Sequence, residues 1–289
     1  QSSANGIVCG YANDVSCSAA FYLHAGFVSM SADFVGTDSI HAVIIIPARF
    51  QSNRFPGKPL AIIAGREMIL RVWGRCCLAV PACDIYVATD DERIRACCAA
   101  AGVQTIMTSS DCLTGTDRVY EASLQIKADV YLNVQGDEPL LDPHDILAVI
   151  DAAKKNPGVI LNAMAPIREE ADFRSNTVPK VVVRPDGRLL YMSRAPIPTN
   201  KQHDFVSAMK QVCIYGFTAE ALAQFSACRK KTPLEEIEDI EILRFLELGF
   251  DVQMITVSES AIAVDVPSDV FRVESALRNT KATVDNDDG

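Results

Sequence analysis

From Ala42 onward the chain alternates short β-branched runs with amphipathic stretches of roughly ten to fifteen residues, and few architectures accept that alternation. Ala42-Val-Ile-Ile-Ile-Pro47 is continuously apolar, as suits a parallel strand buried on both faces. Asp84–Thr89, Val103–Thr108 and Asp129–Gln135 read as further strands. Helices are expected over Met68–Ala79, Asp91–Ala101 and Thr116–Ile126, and after Pro143. The order predicts an α/β fold with a mostly parallel twisted sheet and helices on both faces. The second half differs. Val178–Val183 and Leu189–Met192 flank the turn signal Pro185-Asp-Gly187, predicting an inserted antiparallel hairpin. A strand over Gln211–Thr218, one helix over Glu236–Leu248, a strand over Asp251–Val257 and a final helix opened by Pro267 complete the reading.

Charge narrows the possible partners. The 27 basic and 37 acidic residues leave a net charge of −10, which argues against a nucleic-acid partner held by phosphate neutralisation. A small anionic substrate is still compatible, because a few local cations suffice to hold one. No apolar run approaches the ~20 residues of a membrane span. The ten cysteines include the adjacent pairs Cys76–Cys77 and Cys97–Cys98, no CxxC occurs, and the four histidines are scattered. Zinc and redox motifs are therefore missing, and reduced thiols in a cytoplasmic protein are expected. Residues 1–40 carry no Lys or Arg and show no period, so they read as a poorly structured extension, with the working protein beginning near Met30. The main domain is expected over residues 41–279, with 280–289 as a tail.

Three segments hold residues suited to chemistry. The first strand runs into Pro47-Ala48-Arg49-Phe-Gln-Ser-Asn-Arg54-Phe-Pro-Gly57-Lys58. Loops at strand carboxyl ends bind ligands in open α/β sheets, and cations among Gly and Ser suit a triphosphate. Read alone, the segment is equally an ordinary solvated loop. Gln135-Gly-Asp137-Glu-Pro139 ends another strand and places a carboxylate where Mg²⁺ could be held, or is a plain turn. Val264-Asp265-Val266-Pro267 places an acid before a proline that opens a helix, a third candidate or simply an N-cap-type acid. Neither GxxxxGK[ST] nor GxGxxG is usefully placed, which removes the main support for P-loop NTPases and Rossmann dehydrogenases.

Taken together, PARFQSNRFPGKPL, VATDD, TGTDR, NVQGDEPLL, YMSRAPIP, IYGF, TPLEEIEDIEILR and AVDVPSDV follow the order seen in the 3-deoxy-manno-octulosonate cytidylyltransferases (CMP-Kdo synthetases). The chain resembles that family over about residues 41–279. The resemblance implies a Rossmann-like nucleotidyltransferase fold, CTP and a sugar acid as substrates, Mg²⁺ as cofactor and a homodimer. It implies nucleotide binding by Ala48, Arg49, Arg54, Lys58, Thr116 and Arg118, with Arg49, Lys58 and Asp137 catalytic and Asp137 and Asp265 on the metal. It assigns Gln135, Arg194, Gln211, Tyr215, Glu238 and Glu241 to the sugar pocket, the two glutamates on one helix face.

The implied reaction transfers CMP to the anomeric hydroxyl of Kdo or a close relative in lipopolysaccharide or capsule synthesis. Two positions depart from the family pattern. Gln211 replaces a histidine of RHLGIYGY, and Ile242 replaces a glutamine of EQLR. The nucleotide motifs are intact while the sugar motifs have drifted, so another ulosonic acid, amino-substituted or longer, is the main alternative. A catalytically silent CTP sensor is a weaker one.

Overall fold

The computed structural model describes residues 40–52, 54–259 and 263–287, so the expectation for the segment before residue 40 lies outside the described residues. The strands are β1 (Ala42–Ala48), β2 (Ile62–Ile63), β3 (Arg66–Glu67), β4 (Ile85–Thr89), β5 (Thr105–Met107), β6 (Val130–Val134), β7 (Ile160–Pro166), β8 (Lys180–Val183), β9 (Leu189–Ser193), β10 (Met209–Phe217) and β11 (Val252–Thr256). The helices are α1 (Met68–Cys76), α2 (Glu92–Ala100), α3 (Gly115–Ser123), α4 (Pro143–Lys155), α5 (Glu170–Arg174), α6 (Ala219–Ala227), α7 (Pro233–Glu238), α8 (Ile242–Glu247) and α9 (Asp269–Asp287).

The main sheet runs β11-β7-β10-β6-β1-β4-β5. Its pairs are parallel except where β10 lies antiparallel between β7 and β6. The expected hairpin is present as β8–β9, joined to the sheet through β8 and β10. Gly187 takes φ 83° in its turn, a left-handed value that a side chain would strain. Strand β1 explains the layering. Ile44 and Ile46 pack with α1, α2 and α4, while Val43 and Ile45 pack with α3, α6 and α8. A strand apolar on both faces needs a helical layer on each.

Two expectations are corrected. The helix expected over Glu236–Leu248 is two helices, because Thr232 and Glu235 form a capping box that starts α7 at Pro233 and Asp239 turns left-handed at φ 51°. A left-handed residue ends one helix and re-aims the next. Pro267 does not open the last helix. It lies in the turn before α9, where the Asp269 carboxylate accepts the N–H groups of Asp265 and Val266 at 2.9 and 3.0 Å.

Candidate active site

The loops leaving the carboxyl ends of β1 and β6 share a cavity of about 1070 Å³, whose walls include Lys58, Gln135, Asp137, Gln211, Tyr215 and Asp265. Gly57 closes the β1 loop by donating its N–H to Phe50 O at 2.8 Å with φ 73°. A Cβ there would lie 3.0 Å from the Phe50 ring. The Arg93 guanidinium covers that ring at 3.3 Å from its centroid, pinning the loop to α2.

The turn delivers Lys58 between two carboxylates. Its Nζ donates to Asp137 Oδ2 at 2.7 Å and lies 3.8 Å from Asp265 Oδ1. Arg54 reaches the same Asp265 oxygen at 3.0 Å. Residues more than 200 positions apart are thereby joined, because Val264 N–H donates to Asp137 O at 2.9 Å and carries the late segment onto the β6 turn. The other carboxylate oxygen of Asp137, Oδ1, is buried without a hydrogen-bond partner. An orphaned acceptor of that kind is costly unless a cation or donor completes it.

The wall formed by β10 is polar. Gln211 donates its amide to Asn162 Oδ1 at 3.0 Å and to the Tyr215 hydroxyl at 3.1 Å. Burial pushes the Tyr215 phenol well above its ordinary range, so it is a neutral donor at pH 7. Ala48 and Arg49 also line the cavity. So does Arg118, which is 3% exposed and held by Thr108 Oγ1 and by Asp90 at 3.4 Å.

Residues 43–255 match the family model for cytidylyltransferases. The chain belongs to the cytidylyltransferase family. It is 41% identical over 242 residues to the 3-deoxy-manno-octulosonate cytidylyltransferase of Myxococcus xanthus, covering 83% of this chain and 98% of that one. It is 37% identical over 246 residues to the 8-amino-3,8-dideoxy-manno-octulosonate cytidylyltransferase of Shewanella halifaxensis, covering 82% and 99%. A solved CMP:2-keto-3-deoxy-manno-octonic acid synthetase complexed with CTP superposes with a TM-score of 0.77 at 33% identity, covering 83% of this chain and 99% of that one. Among the described residues no helix is long and apolar enough to cross a membrane.

Of the residues expected at the site of this cytidylyltransferase, Thr116 and Glu238 lie off the cavity wall, and Glu241 and Arg194 line it with their polar atoms bound to the chain itself. Glu238 and Glu241 do not share a helix face. They lie on opposite sides of the Asp239 break and serve different partners. Glu238 is outside the cavity wall and accepts from Ser193 Oγ at 2.6 Å and Arg194 N–H at 2.9 Å. Glu241 lies on the wall but accepts from the N–H groups of Gly115 and Thr116 and from the Thr116 hydroxyl, at 3.0, 2.8 and 2.6 Å. Thr116 is consequently 1% exposed, and the N-terminus of α3 is closed by a carboxylate of the chain itself. The nucleotide role expected of Thr116 has no open donors behind it. Arg194 lines the cavity with every guanidinium nitrogen committed: Nε to Glu238 O at 2.5 Å, Nη1 to Asn176 O at 2.9 Å and Nη2 to Asp239 O at 2.9 Å.

The second drifted position is also relocated. Ile242 is 0% exposed, packed in the core layer with Leu243 and Phe245, so it offers nothing to a sugar. The sequence alone could not show this, because the break at Asp239 resets which helical positions face inward. Ile242→Gln is therefore expected to cost stability, on the order of 1–3 kcal/mol for its buried amide, with little change in sugar preference. Gln211→His alone should carry any preference shift. Melting temperatures and relative kcat/KM values for Kdo and 8-amino-Kdo check both.

Glu238 carries a pH signature. Burial opposes its ionisation, but hydrogen bonds from Arg194 N–H, Ser193 and Tyr191 prevail and hold it below its ordinary 4.5. A depressed carboxyl stabilises the fold above the unfolded value, and that contribution is lost as pH falls through the folded one. The melting-temperature advantage of the natural chain over Glu238→Gln should be full above pH 4.5 and shrink below it. A constant difference down to pH 3 would contradict the assignment.

The cavity wall also holds Glu138, Lys210, Cys213, Lys231 and Arg272, none of them singled out from the sequence. Glu138 lay inside the recognised GDEP turn; burial, then the neighbouring Asp137 charge, push its carboxyl to about 7. Lys210 was visible as the residue before the drifted histidine position. Lys231 and Arg272 reach the cavity from distant segments, and no local pattern marks them.

Proposed function

We propose that this cytidylyltransferase transfers CMP from CTP to the anomeric hydroxyl of 3-deoxy-manno-octulosonate or a close ulosonic acid, releasing pyrophosphate. The observation that carries the reading is the Lys58 ammonium set between Asp137 and Asp265 in the same cavity as Gln135, Gln211 and Tyr215. The sugar oxygen bonds to the α-phosphorus, the bond to the bridging oxygen of the β-phosphate breaks, and the hydroxyl proton is released. Such a transfer asks the protein chiefly for alignment and charge neutralisation.

Lys58 and Arg49 bring positive charge to the triphosphate, while the Gln211–Tyr215 pair and Gln135 orient the sugar. The residues present suit Mg²⁺. Among the described residues no three His, Cys, Asp or Glu side chains form a complete metal cage. Asp137, with its orphaned Oδ1, and Asp265 offer instead the one or two carboxylates with which Mg²⁺ joins substrate phosphates. When bound there, Mg²⁺ supplies charge neutralisation on the phosphates and acidifies the attacking hydroxyl. The eight described cysteines are free thiols, which suits a reducing cytoplasm.

Two relatives act on different sugars by name, so the test is a panel. Pyrophosphate release is measured with CTP and Kdo, 8-amino-Kdo or a longer ulosonic acid. Turnover that requires Mg²⁺ and prefers CTP over ATP is expected. Equal rates with ATP, turnover in excess chelator, or no turnover with any acid would refute the reading.

A further inference from the structure

An acid substrate needs a cation at its carboxylate, and the cavity's cations are mostly committed. Lys58 and Arg54 hold Asp137 and Asp265, and Arg118 is tied to Asp90 and Thr108. Lys231 donates to Asp239 at 2.6 Å, and Arg272 lies 3.5 Å from Asp269. Arg194 staples three backbone carbonyls, so turning its fork to a ligand would orphan the end of α7. Among the described cavity residues, Arg49 and Lys210 are the cations without an ion pair within 4 Å. Arg49 belongs to the β1 loop with Lys58, at the end suited to phosphates.

Lys210 lies at the other end. It is on β10 immediately before Gln211, partly buried, with its backbone fixed by pairing to Ala165 of β7 and Lys180 of β8. Glu138 and Glu259 feel its charge, but neither pairs with it within 4 Å. Glu259 is taken by Arg168 at 2.7 Å, and Glu138 is buried behind the Cys213 N–H. The Lys180 ammonium beside it in register turns away to the carbonyls of Ser175, Val178 and Arg194. A partly buried ammonium on the cavity wall without a close ion pair is free to form a charge-assisted hydrogen bond to an anionic ligand.

We propose that Lys210 is the residue that binds the carboxylate of the sugar acid. The assignment rests on the functional reading above. Arg194, in this arrangement, shapes the pocket by holding the α7–α8 break in place.

Lys210→Met and Lys210→Arg are compared with Kdo varied at saturating CTP and with CTP varied at saturating Kdo. Losing one charge-assisted contact should raise KM for Kdo roughly 10–100-fold in the Met variant, with KM for CTP changed by less than about twofold. The Arg variant should recover most of the loss, and both melting temperatures should stay near that of the natural chain. A KM for Kdo within about threefold of natural in the Met variant overturns the assignment. So does a joint rise in both KM values that Arg does not rescue. If the natural chain turns over no ulosonic acid, the functional reading fails and takes this one with it; normal natural turnover with an indifferent Met variant refutes Lys210 alone.

Discussion

Asp137→Asn should lower turnover by roughly 100-fold or more while leaving the fold intact. The substitution keeps the shape of the side chain and its place on the β6 turn, where Val264 N–H still finds Asp137 O. It removes the charge that faces Lys58 at 2.7 Å and replaces one acceptor with a donor. Oδ1 is buried with no partner of its own, so whichever way the amide is placed, the site loses an anionic oxygen that no neighbour replaces. The loss falls on the step where phosphate charge is redistributed, so kcat should drop more than affinity for the sugar acid. A near-normal kcat in pyrophosphate release, with melting temperature unchanged, would remove Asp137 from the reaction.

The largest stability effect is expected from Arg244. This side chain is 0% exposed, with a two-point contact to Glu235 at 2.6 Å through each of Nε and Nη2, and Nη1 lies 3.2 Å from Asp117. Its guanidinium also lies 3.7 Å from the Phe225 ring centroid. One residue therefore joins α8 to α7, α3 and α6. Arg244→Met leaves Glu235, itself 0% exposed, as a buried carboxylate without its cation. Breaking a buried pair from one side costs about 3–5 kcal/mol. At roughly 2–4 °C per kcal/mol, the melting temperature should fall by about 6–20 °C. Arg244→Met combined with Glu235→Gln should recover part of that, since the fully buried carboxylate is neutralised and Asp117 keeps its bonds from Thr114. A single variant melting within about 2 °C of the natural chain would show that the cluster relaxes at little cost.

The Arg244 cluster and the Lys58 cluster differ in how much of each was legible beforehand. Arg49, Arg54, Lys58 and Asp137 stand in two short segments, each directly after an apolar strand. Strand-end loops of parallel strands lie on one edge of the sheet, so their convergence follows from period and order alone. Asp265 is marked only by its motif, and its approach to Lys58 depends on the backbone bond between Val264 and the β6 turn. Arg244 sat within the quoted segment ending in EILR, but its partners lie 9 and 127 residues away. No local pattern announces a buried pair at such separations.

What the amino-acid order determined by itself is the strand–helix alternation, the hairpin at Pro185-Asp-Gly187 and the phosphate-side loops. Each depends on interactions within a few residues: side-chain period, turn chemistry and capping. The tertiary structure decided the sugar-side wall. Asp239 adopts φ 51° in the middle of an apparently continuous helix, where Lys231 holds its carboxylate and Arg244 binds back to Glu235. That single left-handed residue sends Glu241 to the N-terminus of α3 and Ile242 into the core, off the face on which Glu238 meets Arg194. Helical periodicity assumes a constant rotation per residue, so one break supplied by distant partners reassigns every side chain beyond it.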